Sequence, residues 1–144
     1  MTEYPLKFTV YANATPGIIN PWSCSEEKVE PINCCIPPVF NGPGGAYTPE
    51  GLFALSVLNC IVAVFKAYCE KHSVNFEKID GNVIATMDRD TSINQILITH
   101  VEVTLNVIGA SDKEKVHTIL DQAIKDCPIS NSIKAGKTFH IDVK

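Results

Sequence analysis

The chain is short of positive charge. Its 12 lysines and arginines face 16 aspartates and glutamates, giving a net charge of −4, and neither sign collects into long runs. A nucleic-acid-binding surface draws on a basic stripe, so nucleic acid is not an expected partner. C-x-x-C pairs are also missing: the six cysteines, at 24, 34, 35, 60, 69 and 127, form none, which removes the common zinc and thioredoxin-like patterns. The longest apolar stretch, within Leu52 to Tyr68, is broken by Ser56, Asn59 and Lys66 and falls short of a membrane span, so no membrane partner is expected. The opening segment MTEYPLKFTVYANATPG has an acidic residue and prolines where a secretory signal needs a basic start and unbroken apolar residues. A cytoplasmic protein is the expectation. Internal repeats and low-complexity segments are absent too.

What remains is ordinary globular composition, 45% apolar and 19% charged. The 144 residues fit one domain, 1–144, and a chain of that size buries roughly 70% of its unfolded surface. Cytosolic thiol buffers oppose structural disulfides, so the cysteines should stay mostly reduced and serve packing, metal binding or catalysis.

Residues 4–12, YPLKFTVYA, have the aromatic and β-branched content of a strand, and residues 13–23, with two prolines and a glycine, that of a loop. A second extended stretch is expected from Lys28 to Ile36, and the proline- and glycine-rich PPVFNGPGG reads as turns. Thr48 then suits a helix N-cap, Pro49 the first helical position, and Glu50 the positive end of the helix dipole. The helix should run to about His72. Its apolar residues occupy nearly every face, so it is expected to be buried on all sides, and in so small a domain a second subunit is the simplest cover. Phe76 to Asp88 reads as a strand with a turn signal at Asp80-Gly81, and MDRDTSIN as a loop. Alternating apolar residues from Ile96 to Val107 make a long strand with a register slip near His100. A second helix opens at Ser111, with Glu114 at capping-box spacing. Its stripe of Val116, Ile119, Leu120, Ala123, Ile124 and Cys127 turns Cys127 inward, where Pro128 stops the helix. A last strand covers Lys137 to Val143. Together these describe an α+β domain.

Two segments carry a resemblance. GGAYTPEGLFALSVLNC, Gly44 to Cys60, places a cysteine ten residues after a glutamate on an apolar helix that follows a Gly-rich turn, and Cys127 to Ser130 reads C-P-x-S at the end of the later helix. In that order and separation they resemble the OsmC/Ohr family, named for osmotically inducible protein C and organic hydroperoxide resistance protein. The match of elements runs from about Lys28 to Ser132. The resemblance implies an intertwined α+β homodimer with antiparallel sheets, a long buried central helix, a second helix, and two active sites at the subunit interface. It also implies reduction of organic hydroperoxides, with Cys60 attacking the peroxide, Cys127 resolving, and Glu50 orienting the cation that activates the thiolate. The reductant it implies is an external dithiol, dihydrolipoyl in better-known members.

One residue departs from that pattern. Peroxidases of the family carry an arginine in the N-terminal region, whereas this chain has none before Arg89. Lys28, Arg89 or a histidine are the substitutes on hand. The departure motivates a rival reading, a family member without peroxidase activity that binds a small apolar ligand; a dithiol redox buffer or sensor is a third. The remaining cysteines read more plainly. Cys34 and Cys35, adjacent on a strand, face opposite sides and read as packing residues. Cys24 falls in a polar loop as an incidental thiol, and Cys69 with His72 supplies only two of the ligands a metal site needs. Gly42, Gly44 and Gly45 are followed by no lysine or serine at phosphate-loop spacing.

Overall fold

The computed structural model describes residues 2–144. The chain divides into two compact units, Met1–Leu52 and Phe53–Lys144, with the division falling inside the first long helix.

The first unit is a three-stranded antiparallel sheet of β1 (Val10–Asn13), β2 (Trp22–Glu26) and β3 (Ile32–Cys34), in that spatial order. The strand expected over residues 4–12 is confined to its end, because Tyr4 to Phe8 find no strand partner within the described residues. WSCSE is the central strand, so Cys24, expected in a polar loop, stands on β2 and half-buried. Lys28, expected in an extended stretch, has φ of 64° and belongs to the turn closed by Val29 N–H donating to the Glu26 carbonyl. The PPVFNGPGG segment turns as expected and includes a short 3₁₀ helix, Pro38–Phe40. Gly42 is required there, since a Cβ would run into the Ile36 carbonyl.

Helix α1 (Pro49–Lys71) starts as its sequence dictates: Gly51 N–H donates to Thr48 Oγ1 at 3.1 Å, and Pro49 takes the first position, where no N–H is needed. Only one stripe, Val57, Ile61, Phe65 and Cys69, is buried within the chain. Leu55 on another face is 46% exposed in the single chain, a face for which a second subunit was the expected cover. By length and apolarity alone α1 is long enough to span a bilayer, but its buried stripe belongs to the core of the second unit.

That core is built on strands β4 (Lys78–Asp90), β5 (Gln95–Ile108) and β6 (Gly136–Val143). β4 and β5 form an antiparallel hairpin, and β6 lies parallel to β5, so this sheet is mixed where an antiparallel one was expected. The parallel pairing follows from the crossover, in which α2 (Lys113–Asp126) and the four-residue α3 (Pro128–Asn131) carry the chain back to the start of β5. The expected register slip near His100 is a bulge at Thr99, opposite Thr86 and Met87. Asp80-Gly81 is not a turn, as β4 runs straight through it; a Cβ at Gly81 would strike the Thr104 carbonyl of the paired strand. Val101, Val103, Leu105 and Val107 alternate inward from β5 and pack with the α1 stripe and with Val116, Ile119, Leu120 and Ala123 of α2. The cap of α2 is Asp112 rather than Ser111, its Oδ1 accepting from Lys115 N–H at 3.0 Å.

Candidate active site

Cys60 and Cys127, 67 positions apart in sequence, meet in the second unit. The Cys60 thiol, half-buried on the middle of α1, lies near enough to raise that of Cys127, which is fully buried at the junction of α2 and α3.

The Cys-Pro-Ile-Ser segment explains how Cys127 is held. It ends α2, its N–H donating to the Ile124 carbonyl, and it also caps α3, its Sγ accepting from Ser130 N–H at 3.3 Å. Sulfur thus fills the role that a serine or aspartate oxygen usually has at a helix start, with Pro128 in the position that lacks a donor requirement. Burial pushes the Cys127 thiol from near 9 up to about 11, and the Cys60 contact adds to the rise, while the N–H groups of Ser130 and Ile129 oppose it. At neutral pH Cys127 is therefore a protonated thiol. Cys69 is also raised by burial.

The other residues singled out in the sequence are more dispersed. Glu50 occupies the first turn of α1, ten residues and about 15 Å of helix rise before Cys60. Among the described residues its Oε2 is buried without a hydrogen-bond partner. Lys28 lies exposed beside Glu27, at 3.7 Å. Arg89 bonds to Asn94 in the β4–β5 hairpin. His100, His117 and His140 are engaged with Thr138, Asp121 and Glu102 respectively. Cys69 is buried and His72 exposed, so those two diverge. Two open clefts of about 520 and 470 Å³ flank α2; the residues lining them include neither Cys60 nor Cys127.

Residues 42–142, most of the second unit and the turn before α1, match the family model described as OsmC-like protein. The chain belongs to the OsmC-like family. A curated relative, the organic hydroperoxide resistance protein of Xanthomonas axonopodis pv. citri, is 30% identical over 133 residues, spanning 90% of this chain and 89% of the relative. Solved OsmC-like structures share the fold. An OsmC-like protein of unknown function from Vibrio cholerae superposes with a TM-score of 0.82 at 14% identity, covering 95% of this chain and 99% of that one. An organic hydroperoxide resistance protein from Legionella pneumophila gives 0.71 at 18% identity, covering 97% and 99%.

What sequence reasoning missed is a residue that braces the thiol pair. Tyr68 of α1 and Asp126 of α2 are joined by a side-chain hydrogen bond. A half-buried tyrosine on an apolar helix carries no sequence signal for such a contact.

Proposed function

We propose that this protein is a thiol-dependent peroxidase that reduces organic hydroperoxides through Cys60 and Cys127. The observation that carries the reading is the contact of two free thiols of unequal access, Cys60 half-buried and Cys127 fully buried. The name of the Xanthomonas relative supports the substrate class and a part in resisting peroxide stress.

In this mechanism the Cys60 thiolate attacks the distal peroxide oxygen, the O–O bond breaks, and the alkoxide departs as the alcohol by taking up the proton that the Cys60 thiol had released, leaving Cys60 as a sulfenic acid. Cys127 then bonds through its sulfur to that of Cys60, the S–O bond breaks, and water leaves with the Cys127 proton. An external dithiol, dihydrolipoyl by family analogy, reduces the disulfide by exchange. By family analogy Glu50 would orient the cation that stabilises the Cys60 thiolate. A homodimer in the cytoplasm is part of the same proposal. It is supported by the exposed apolar row of Tyr4, Leu6, Phe8 and Val10 and by the exposed faces of α1, and the second subunit would complete a pocket over Cys60.

The missing arginine favours one rival, a family member that has lost peroxidase chemistry and binds a small apolar ligand or buffers thiols. Turnover of cumene hydroperoxide with a dithiol reductant separates the readings. The peroxidase consumes substrate catalytically and loses this in Cys60→Ser, whereas equal turnover by that variant refutes the assignment. Alkylation of Cys60 against pH gives a second discriminator, since a peroxidase needs substantial thiolate at neutral pH.

A further inference from the structure

Two other cysteines lie together in the first unit. β2 and β3 pair with Trp22 opposite Cys34 and Cys24 opposite Ile32, so Cys24 and Cys34 stand diagonally on one face of the sheet. The Cys24 thiol lies near enough to that of Cys34 to raise it. Cys35 is engaged elsewhere, its Sγ directed at the Ala46 carbonyl oxygen, 3.6 Å away. Cys24 is half-buried and open to a small oxidant, while Cys34 is only 1% exposed.

We infer that Cys24 and Cys34 form a second oxidisable thiol pair, which closes to an intrachain disulfide between β2 and β3 when the protein meets a hydroperoxide. Cys24 Sγ attacks the distal peroxide oxygen, the O–O bond breaks, and the alcohol leaves with the proton, so that Cys24 becomes a sulfenic acid. The Cys34 sulfur then bonds to it, the S–O bond breaks and water departs. Two thiols lose two electrons, and the hydroperoxide is reduced to alcohol and water.

The surroundings make this pair a latch rather than a turnover site. Diagonal strand neighbours have Cα atoms about 7–8 Å apart, beyond the roughly 4.4–6.8 Å that a disulfide accepts, so closure draws the strands together. β3 is only three residues long, and its outer side is held by a short parallel bridge to Tyr47, which accepts from Cys35 N–H at 2.8 Å and donates to the Asn33 carbonyl at 3.0 Å, so closure works against that bridge. Burial holds the Cys34 thiol up to about 11, with the Cys24 contact adding to the rise. Cys34 therefore makes a slow partner and, once joined, a poor leaving group, so the disulfide forms slowly and resists reduction.

The inference is independent of the peroxidase reading, and its test removes that chemistry first. The Cys60→Ser/Cys127→Ser protein is treated with cumene hydroperoxide, free thiols are alkylated, and the unreduced protein is digested with trypsin. Cleavage after Lys7, Lys28 and Lys66 puts Cys24 in peptide 8–28 and Cys34 in peptide 29–66. The expected product is those two peptides linked, two hydrogen atoms lighter than their sum, lost in Cys24→Ser and in Cys34→Ser but kept in Cys35→Ser. Alkylation of both Cys24 and Cys34 after oxidation, or linkage that survives Cys34→Ser, overturns the inference. If the double variant does not fold, the wild-type protein is mapped in the same way, with fragmentation of the linked peptides assigning the sulfurs and the same two outcomes deciding.

Discussion

The hydroxyl of Tyr68 donates a 2.6 Å hydrogen bond to Oδ2 of Asp126, the residue immediately before Cys127. Gln122 Nε2 donates to the same oxygen at 2.9 Å. The contact holds the Asp126 carboxyl below its usual range and raises the Tyr68 phenol. Tyr68 lies eight residues after Cys60 on α1, so the bond ties together the two backbones that carry the thiol pair. Tyr68→Phe keeps the ring and removes only the donor. Closure of the Cys60–Cys127 disulfide after one equivalent of hydroperoxide should slow by roughly tenfold, well within what a displacement of about an ångström costs. Rapid-mixing kinetics followed by acid quench and thiol counting measure this. An unchanged rate in both Tyr68→Phe and Asp126→Asn removes the positioning role.

The two cysteines of the proposed peroxidase should fail in different ways. Cys60→Ser should consume no hydroperoxide beyond the uncatalysed rate. Cys127→Ser should consume a single equivalent, because Cys60 still becomes a sulfenic acid but lacks its partner. Mass spectrometry after dimedone trapping reads the difference, and multiple turnovers by Cys127→Ser with a dithiol reductant would assign resolution to another thiol.

Stability should fall in alkaline solution through two buried thiols. Cys127 and Cys34 are raised to about 11 in the folded chain, from an ordinary value near 9. Below pH 9 both states keep these protons and the stabilisation is complete. Between 9 and 11 the unfolded chain releases them while the folded chain retains them, so stability declines as pH rises. Each thiol contributes a slope of at most about 1.4 kcal/mol per pH unit. Urea midpoints across that range should show the decline, and Cys127→Ser should flatten it; a steeper fall in the variant contradicts the assignment.

Gly81 offers a purely structural test. An alanine there would press its Cβ into the Thr104 carbonyl, with the Leu105 side chain at 3.1 Å giving little room. Gly81→Ala should destabilise the second unit by about 1–3 kcal/mol, as overpacking does. Equilibrium urea unfolding measures it, and wild-type stability would mean that the two strands separate at this point without cost.

Much of α1 and of the second unit was legible in the residues. Thr48, Pro49 and Glu50 marked the start of α1, the alternation from Ile96 onward marked β5, and Cys127-Pro128 marked the end of α2. Gly81 misled because Asp-Gly is a turn signal locally, whereas here the glycine answers to close approach by the neighbouring strand. The direction of β6 was hidden, since a strand's own sequence does not say which way its partner runs. β2 escaped notice because WSCSE has little β-branched content and owes its extended form to pairing on both sides. For the same reason Cys24 read as a loop residue and its meeting with Cys34 went unseen. The nearness of Cys60 to Cys127 came only through family resemblance; periodicity turned Cys127 inward but did not say toward what.

Cys127 punctuates the backbone as well as carrying chemistry. Its sulfur is the acceptor that starts α3, so drawing that sulfur into a covalent link weakens the anchor of a helix only four residues long. The oxidation state of one side chain is thereby written into the protection of the Ser130 amide against solvent deuterium, and the segment leading into β6 should loosen and tighten with each redox cycle.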